Sequence, residues 1–124
     1  MTQQGDRPRE VAVNLPELLT RLDNDRDLMC ELIGIFKEEF PPLLRLLQEC
    51  VTSGDTRRVE TTSHALTGML SGLSVTRAAK QAQRLEQMAR AGETAGLTDA
   101  LTVFEQSLAH LLPELEGYIT KAEL

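Results

Sequence analysis

Ser63-His64-Ala65-Leu66-Thr67-Gly68 reads as the middle of a helix over roughly residues 56–73, and the rest of the chain is placed around it. At about 100° per residue, Val59, Leu66, Leu70 and Leu73 fall within about 60° of one another, with Met69 beside them. That is a core-facing stripe. His64 lies about 150° from the stripe centre. Arg57, Glu60, Thr61, Thr67, Gly68 and Ser71 share its side of the helix, so the imidazole faces solvent with a bare position one turn further on. A glycine inside a helix costs roughly 1 kcal/mol against alanine. Clearance for a partner that comes down onto the imidazole would compensate for it.

Upstream, Asn14 is a good N-cap, followed by Leu15, Pro16 in the first turn and Glu17. A short helix with Leu15, Leu18, Leu19 and Leu22 on one face follows and stops near Asp23-Asn24. Asp25 caps the next helix, in which Leu28, Leu32, Ile35, Phe36, Leu43, Leu46, Leu47 and Cys50 keep one helical phase across Pro41-Pro42. The pattern predicts one helix bent near Phe40, because each proline lacks an N–H and crowds the preceding turn. Ser53-Gly54-Asp55 then supplies a C-cap and an N-cap in a tight reversal.

Downstream, a helix starting at Val75 or Thr76 has Ala78, Ala79, Ala82, Leu85, Met88 and Ala89 as its inner face. These small residues permit close approach to the His64 helix. Ala91-Gly92 ends it. The last helix is expected from Leu97 to about Ile119, with Leu101, Phe104, Leu108, Leu111, Leu112 and Leu115 inside and a bend at Pro113. No strand signal and no internal repeat stands out. The expected fold is all-α: an antiparallel up-down four-helix bundle with a short N-terminal capping helix. Residues 1–12 are read as a flexible arm and residues 13–121 as the bundle domain.

The 124 residues suffice for one core. Only 3% are aromatic and none is Trp, so aliphatic side chains must build it. A net charge of −6 without a Lys/Arg cluster argues against a nucleic-acid partner. No apolar run approaches a membrane span or a secretory segment, which predicts a cytoplasmic protein. Cys30 and Cys50 lack motif partners and read as reduced packing residues.

His64-x-Leu66-x-Gly68, the small residues over 71–79 and Leu85-Glu86 together resemble a histidine-containing phosphotransfer (HPt) domain. Leu18-Leu19, the acidic turn before the second helix, Phe36 followed by Pro41, and Gly54-Asp55 extend the resemblance over about residues 14–118. The family relays a phosphoryl group between receiver-domain aspartates through a histidine. The resemblance therefore implies His64 as phosphoacceptor and Gly68 as the clearance residue. It implies one or more receiver domains as partners, with a hybrid histidine kinase as a further candidate. No cofactor is expected in this chain, Mg²⁺ belonging to the partner receiver. Thr67 departs from the family, which usually has Lys there. The departure removes a cation beside the phosphoryl oxygens and bears on transfer rate and phosphohistidine lifetime.

The residues themselves fit that chemistry. Histidine ordinarily titrates close to neutral pH, so a neutral ring with a free nitrogen lone pair is available for attack. In-line phosphoryl transfer needs positioning and charge stabilisation. The chain has no acidic triad, no Gly-rich phosphate loop and no Lys at the site, so it reads as a carrier without turnover of its own. Glu60, one turn before His64, is a candidate acceptor for the other ring nitrogen. It also makes half a metal site with His64, but a third ligand is not visible. His110 has Glu114 four residues on and no glycine, and reads as surface. Glu86 reads as a solvated or ion-paired helix residue. Arg57, Arg58, Arg77, Lys80 and Arg84 form either a basic rim near His64 or a balance to nearby acids.

Two readings remain beside an enzyme, for which no nucleophile–base pair is present. One is a phosphorelay carrier, monomeric, and either free-standing, with which Met1 leading a polar arm is consistent, or one domain of a larger hybrid kinase. The other is a degenerate helical module that binds a receiver or kinase without carrying phosphate.

Overall fold

The computed structural model describes residues 12–123, which contain no strand. Their helices are α1 (Leu15–Arg21), α2 (Arg26–Ser53), α3 (Thr56–Gly72), α4 (Thr76–Arg90), α5 (Leu97–Ser107) and α6 (Leu111–Glu123). Among the described residues no helix is long and apolar enough to cross a membrane. Of the arm expected over residues 1–12, residues 1–11 lie outside the described part.

Local chemistry sets the helix starts. Asn14 Oδ1 accepts from Glu17 N at 3.2 Å, Asp25 Oδ1 from Leu28 N at 3.0 Å and Asp55 Oδ1 from Arg58 N at 3.2 Å. Each such cap satisfies an N–H with no partner inside the helix and contributes about 1 kcal/mol. Gly54 ends α2 at φ +73°, a conformation that a side chain disfavours. The chain reverses there directly into α3.

Pro41 and Pro42 lie inside a continuous α2. They cost two N–H donors, yet they sit on half-buried and exposed positions, where the carbonyls of Lys37 and Glu38 can turn to water. Burial on both sides holds the helix: Phe36 and Phe40 stack at 4.5 Å upstream, and Leu47, Cys50 and Val51 are buried downstream. The buried stripe is offset from the expected one. Met29, Ile33, Phe36 and Phe40 face inward, whereas Leu28 and Ile35 are 37% and 50% exposed. α2 is apolar over a wide arc, and the positions of its neighbours, α3, α5 and α6, decide which part of the arc is covered.

A second correction concerns the C-terminal segment, where two helices replace the expected bent one. Residues 108–110 form a turn, with Leu111 N donating to Leu108 O at 3.0 Å. Pro113 falls in the first turn of α6, where its missing N–H costs nothing. The break rotates Leu112 outward to 41% exposure, while Leu111 and Leu115 stay buried.

α3 and α4 form the most extensive helix pair, and α2 with α3, α4 with α5, and α2 with both α5 and α6 complete the cycle of contacts around the core. Ala78, Ala79, Ala82 and Ala89 are buried on α4, opposite an α3 whose Val59, Leu66 and Leu70 are fully covered. Methyl-sized side chains bring the two backbones close. The α3–α4 turn holds Ser74 at φ +57°, a left-handed conformation that costs a non-glycine residue roughly 1–2 kcal/mol. The first helix offsets it: Arg21 Nη1 donates to Ser71 O at 2.9 Å and Ser74 Oγ at 3.0 Å, and Asn14 N to Ser74 O at 2.9 Å.

Candidate functional site

His64 projects from the middle of α3 with 78% of its side chain exposed. Its Nδ1 lies 3.0 Å from Glu86 Oε2, across the α3–α4 contact. Glu86 belongs to the inner face of α4 and is buried. An ionised carboxylate only accepts, so the geometry assigns the ring proton to Nδ1. In the neutral imidazole Nε2 then carries the lone pair. Among the described residues nothing bonds Nε2.

A buried carboxylate must be partnered to be tolerated. Arg90, one turn after Glu86, donates from Nη2 to the same Oε2 at 2.7 Å and from Nε to Glu60 Oε2 at 2.9 Å. Glu60, then Glu86, push the Arg90 guanidinium further above its already high value. The expected pairing of Glu60 with the imidazole is therefore replaced. Arg90 draws the Glu60 carboxylate toward α4, and the ring is met by an acid 22 residues away instead of one on its own helix.

Among the described residues, neither glycine on this part of α3 answers a steric need. A Cβ built on Gly68 or on Gly72 meets nothing within 4 Å. Gly68 and Gly72 border a groove with Met69 and Leu73, closed on the other side by Leu32, Ile35, Phe36 and Glu39 of α2. The exposed apolar edge of α2 thus lies next to the bare strip of α3.

The remaining expected residues divide into two groups. Thr67 and Ser71 line a hollow beside α4 with Lys80 and Gln83. Thr67 Oγ1 donates back to Ser63 O at 2.8 Å, so its hydroxyl hydrogen is committed to the helix. Thr61 does the same toward Arg57 O at 3.1 Å. Arg57 and Thr61 are exposed on the His64 side of α3. No three His, Cys, Asp or Glu residues gather as metal ligands among the described residues.

Sequence reasoning passed over Glu86 as a site residue and did not single out Arg90. A signal was present: Glu86 follows Ala82 by four residues and Leu85 by one, which puts an acid on an alanine-lined inner face. A cation one turn later, at residue 90, is the partner such an acid requires.

The family model for the Hpt domain matches residues 31–119. Histidine-containing phosphotransfer protein B from Pseudomonas aeruginosa PAO1 is similar in fold, with a TM-score of 0.81 over 89% of this chain and 96% of that chain, at 20% sequence identity. No curated protein matches the sequence.

Proposed function

The chain belongs to the Hpt domain family, whose members are phosphocarriers that work with receiver domains or kinases in phosphorelays, and on that premise we propose that His64 is its phosphoacceptor. The observation that carries this is the pairing of Nδ1 with a buried carboxylate while Nε2 is open to solvent. In the reaction, the Nε2 lone pair attacks the phosphorus of an aspartyl phosphate on a receiver domain. The N–P bond forms as the acyl phosphate P–O bond breaks, and the aspartate carboxylate leaves. The proton on Nδ1 stays where it is. The ring gains positive charge as the bond forms, and Glu86 already faces that charge. Transfer to a second receiver is the same step reversed. Mg²⁺, supplied in the receiver's own acidic site, would neutralise the phosphoryl oxygens.

Docking on this reading uses the groove between α2 and α3, where Ile35 and Met69 offer apolar surface and Gly68 leaves the approach to Nε2 clear. The fold reading is the antiparallel up-down bundle, with α2, α3, α4 and the α5–α6 pair as its four sides and α1 as cap. Incubation with a phosphorylated receiver domain tests the function. Acid-labile, base-stable label on His64 is the expected result. Binding without label would replace the carrier by the non-carrying helical module.

A further inference from the structure

Arg90 stands outside the reacting atoms, yet one of its two carboxylate partners touches the ring. Nη2 and Nε lie on one edge of the guanidinium, and that edge is shared between a carboxylate of α4 and one of α3. The oxygen it holds on Glu86 is the one that faces Nδ1. A carboxylate free to turn away from Nδ1 leaves the ring proton free to move to Nε2, which then has no lone pair to attack phosphorus.

We infer that Arg90 is a positioning residue for His64: it fixes Glu86 Oε2 against Nδ1, so that the ring proton is held there and Nε2 is free. This rests on His64 as the phosphoacceptor, although its structural half can be read without any phosphoryl transfer. The charged groups around the exposed face of α3 are Arg57 and Glu60 on α3 itself, Lys80, Glu86 and Arg90 on α4, Glu39 on α2 and Glu17 on α1. Arg90 is the cation bound to the carboxylate that touches the ring. Its place as the last residue of α4 also suits a cation, because the helix dipole is negative there.

The test compares Arg90→Met and Arg90→Lys with wild type in the full chain. Arg90→Met leaves the buried Glu86 carboxylate without its cation, so a lower melting temperature is expected; Arg90→Lys keeps a cation there, and circular dichroism checks that both variants fold. The His64 ring nitrogens are read by long-range proton–nitrogen NMR at about pH 9, where an imidazole is neutral. Wild type should hold the ring proton on Nδ1, and Arg90→Met should lose part of that tautomer preference. Arg90→Lys, which keeps the charge but loses the two-pronged grip, should fall between the two. Loading from a phosphorylated receiver should slow about three- to tenfold in Arg90→Met. An unchanged tautomer preference in Arg90→Met overturns the inference. If the preference weakens but wild type itself takes no label, Arg90 keeps its positioning role and the phosphoacceptor reading is the one that fails.

Discussion

The surface around His64 and the turn around His110 each expose one histidine, and each histidine has a glutamate four residues away, Glu60 before the first and Glu114 after the second. Neither glutamate serves its histidine. Glu60 is held by Arg90. Glu114 accepts from Ala12 N at 2.8 Å, Val13 N at 3.0 Å and the Tyr118 hydroxyl at 2.6 Å, which fastens the entry to α1 onto α6. The difference lies in the second helix. α4 brings a buried carboxylate to His64, whereas His110 sits in a turn next to a carboxylate already spent on holding the chain together. Exposure and a nearby acid do not make an imidazole reactive. On the proposed reading, an acid from across a close helix pair, itself held by a cation, gives His64 a defined proton and a free nitrogen.

The comparison breaks most sharply at the histidines themselves. His64→Gln should abolish label transfer from a phosphorylated receiver, and His110→Gln should leave it unchanged. Both should keep the helical circular dichroism signal, since exposed positions contribute little to packing. Labelling that survives His64→Gln would move the chemistry elsewhere.

Gly68→Gln comes next. Nothing among the described residues meets a Cβ at that position, so the side chain should raise stability by up to about 1 kcal/mol through helix propensity. The same side chain stands over the approach to Nε2 and should slow loading at least about tenfold. Loading as fast as wild type in this variant would end the clearance argument.

The Glu114 region should respond in the opposite sense, in stability without function. Glu114→Gln removes a charged acceptor from two backbone N–H groups and should cost about 1–3 kcal/mol in denaturant unfolding, with His64 loading unaffected. Burial first, and the Glu114 hydrogen bond second, push the Tyr118 phenol well above its ordinary value. The protonated phenol is therefore favoured by folding. The stability it brings is fully present below about pH 10 and is lost as pH rises through the raised value. Tyr118 is the chain's single tyrosine, so an ultraviolet absorbance titration reads it directly. Its midpoint should fall in Glu114→Gln, and an unmoved midpoint would separate the two groups.

These regions also mark what the sequence carried. Asn14, Asp25, Gly54 and Asp55 announce helix ends by chemistry contained within four residues, and the helices begin and end there. The apolar part of the inner face of α3 was legible from its own periodicity, but Thr62 and Ser63, buried beside it, were not, because their polar side chains gave no stripe. α2 was not, since Leu28 and Ile35 continue an apolar arc whose covered part depends on other helices. The break at residues 108–110 was hidden because Pro113 reads equally as a bend or as a helix start. His64 and Gly68 could be found from one helix alone. Glu86 and Arg90 could not be joined to them that way, because their roles depend on how closely α4 approaches α3.

The smallest effect is expected at Thr67. Its hydroxyl is turned onto Ser63 O, so Thr67→Lys exchanges a committed neutral group for a flexible cation near the incoming phosphoryl oxygens. Charged hydrogen bonds are about twice as strong as neutral ones, reduced here by exposure and salt. A rapid-quench time course at fixed ionic strength should show loading a few-fold faster, with little change in melting temperature. Equal loading would mean that a cation such as Lys80, on the same hollow, already serves.

The central claim is that Glu86 occupies Nδ1 and leaves Nε2 of His64 to take the phosphoryl group. Nitrogen-15 NMR of the chain, loaded from a phosphorylated receiver and kept at alkaline pH, reads both ring nitrogens at once. The account predicts a phosphorus-coupled Nε2 on His64, a proton retained on Nδ1, and an unmodified His110. Phosphorus on Nδ1, on His110, or on neither histidine would contradict it.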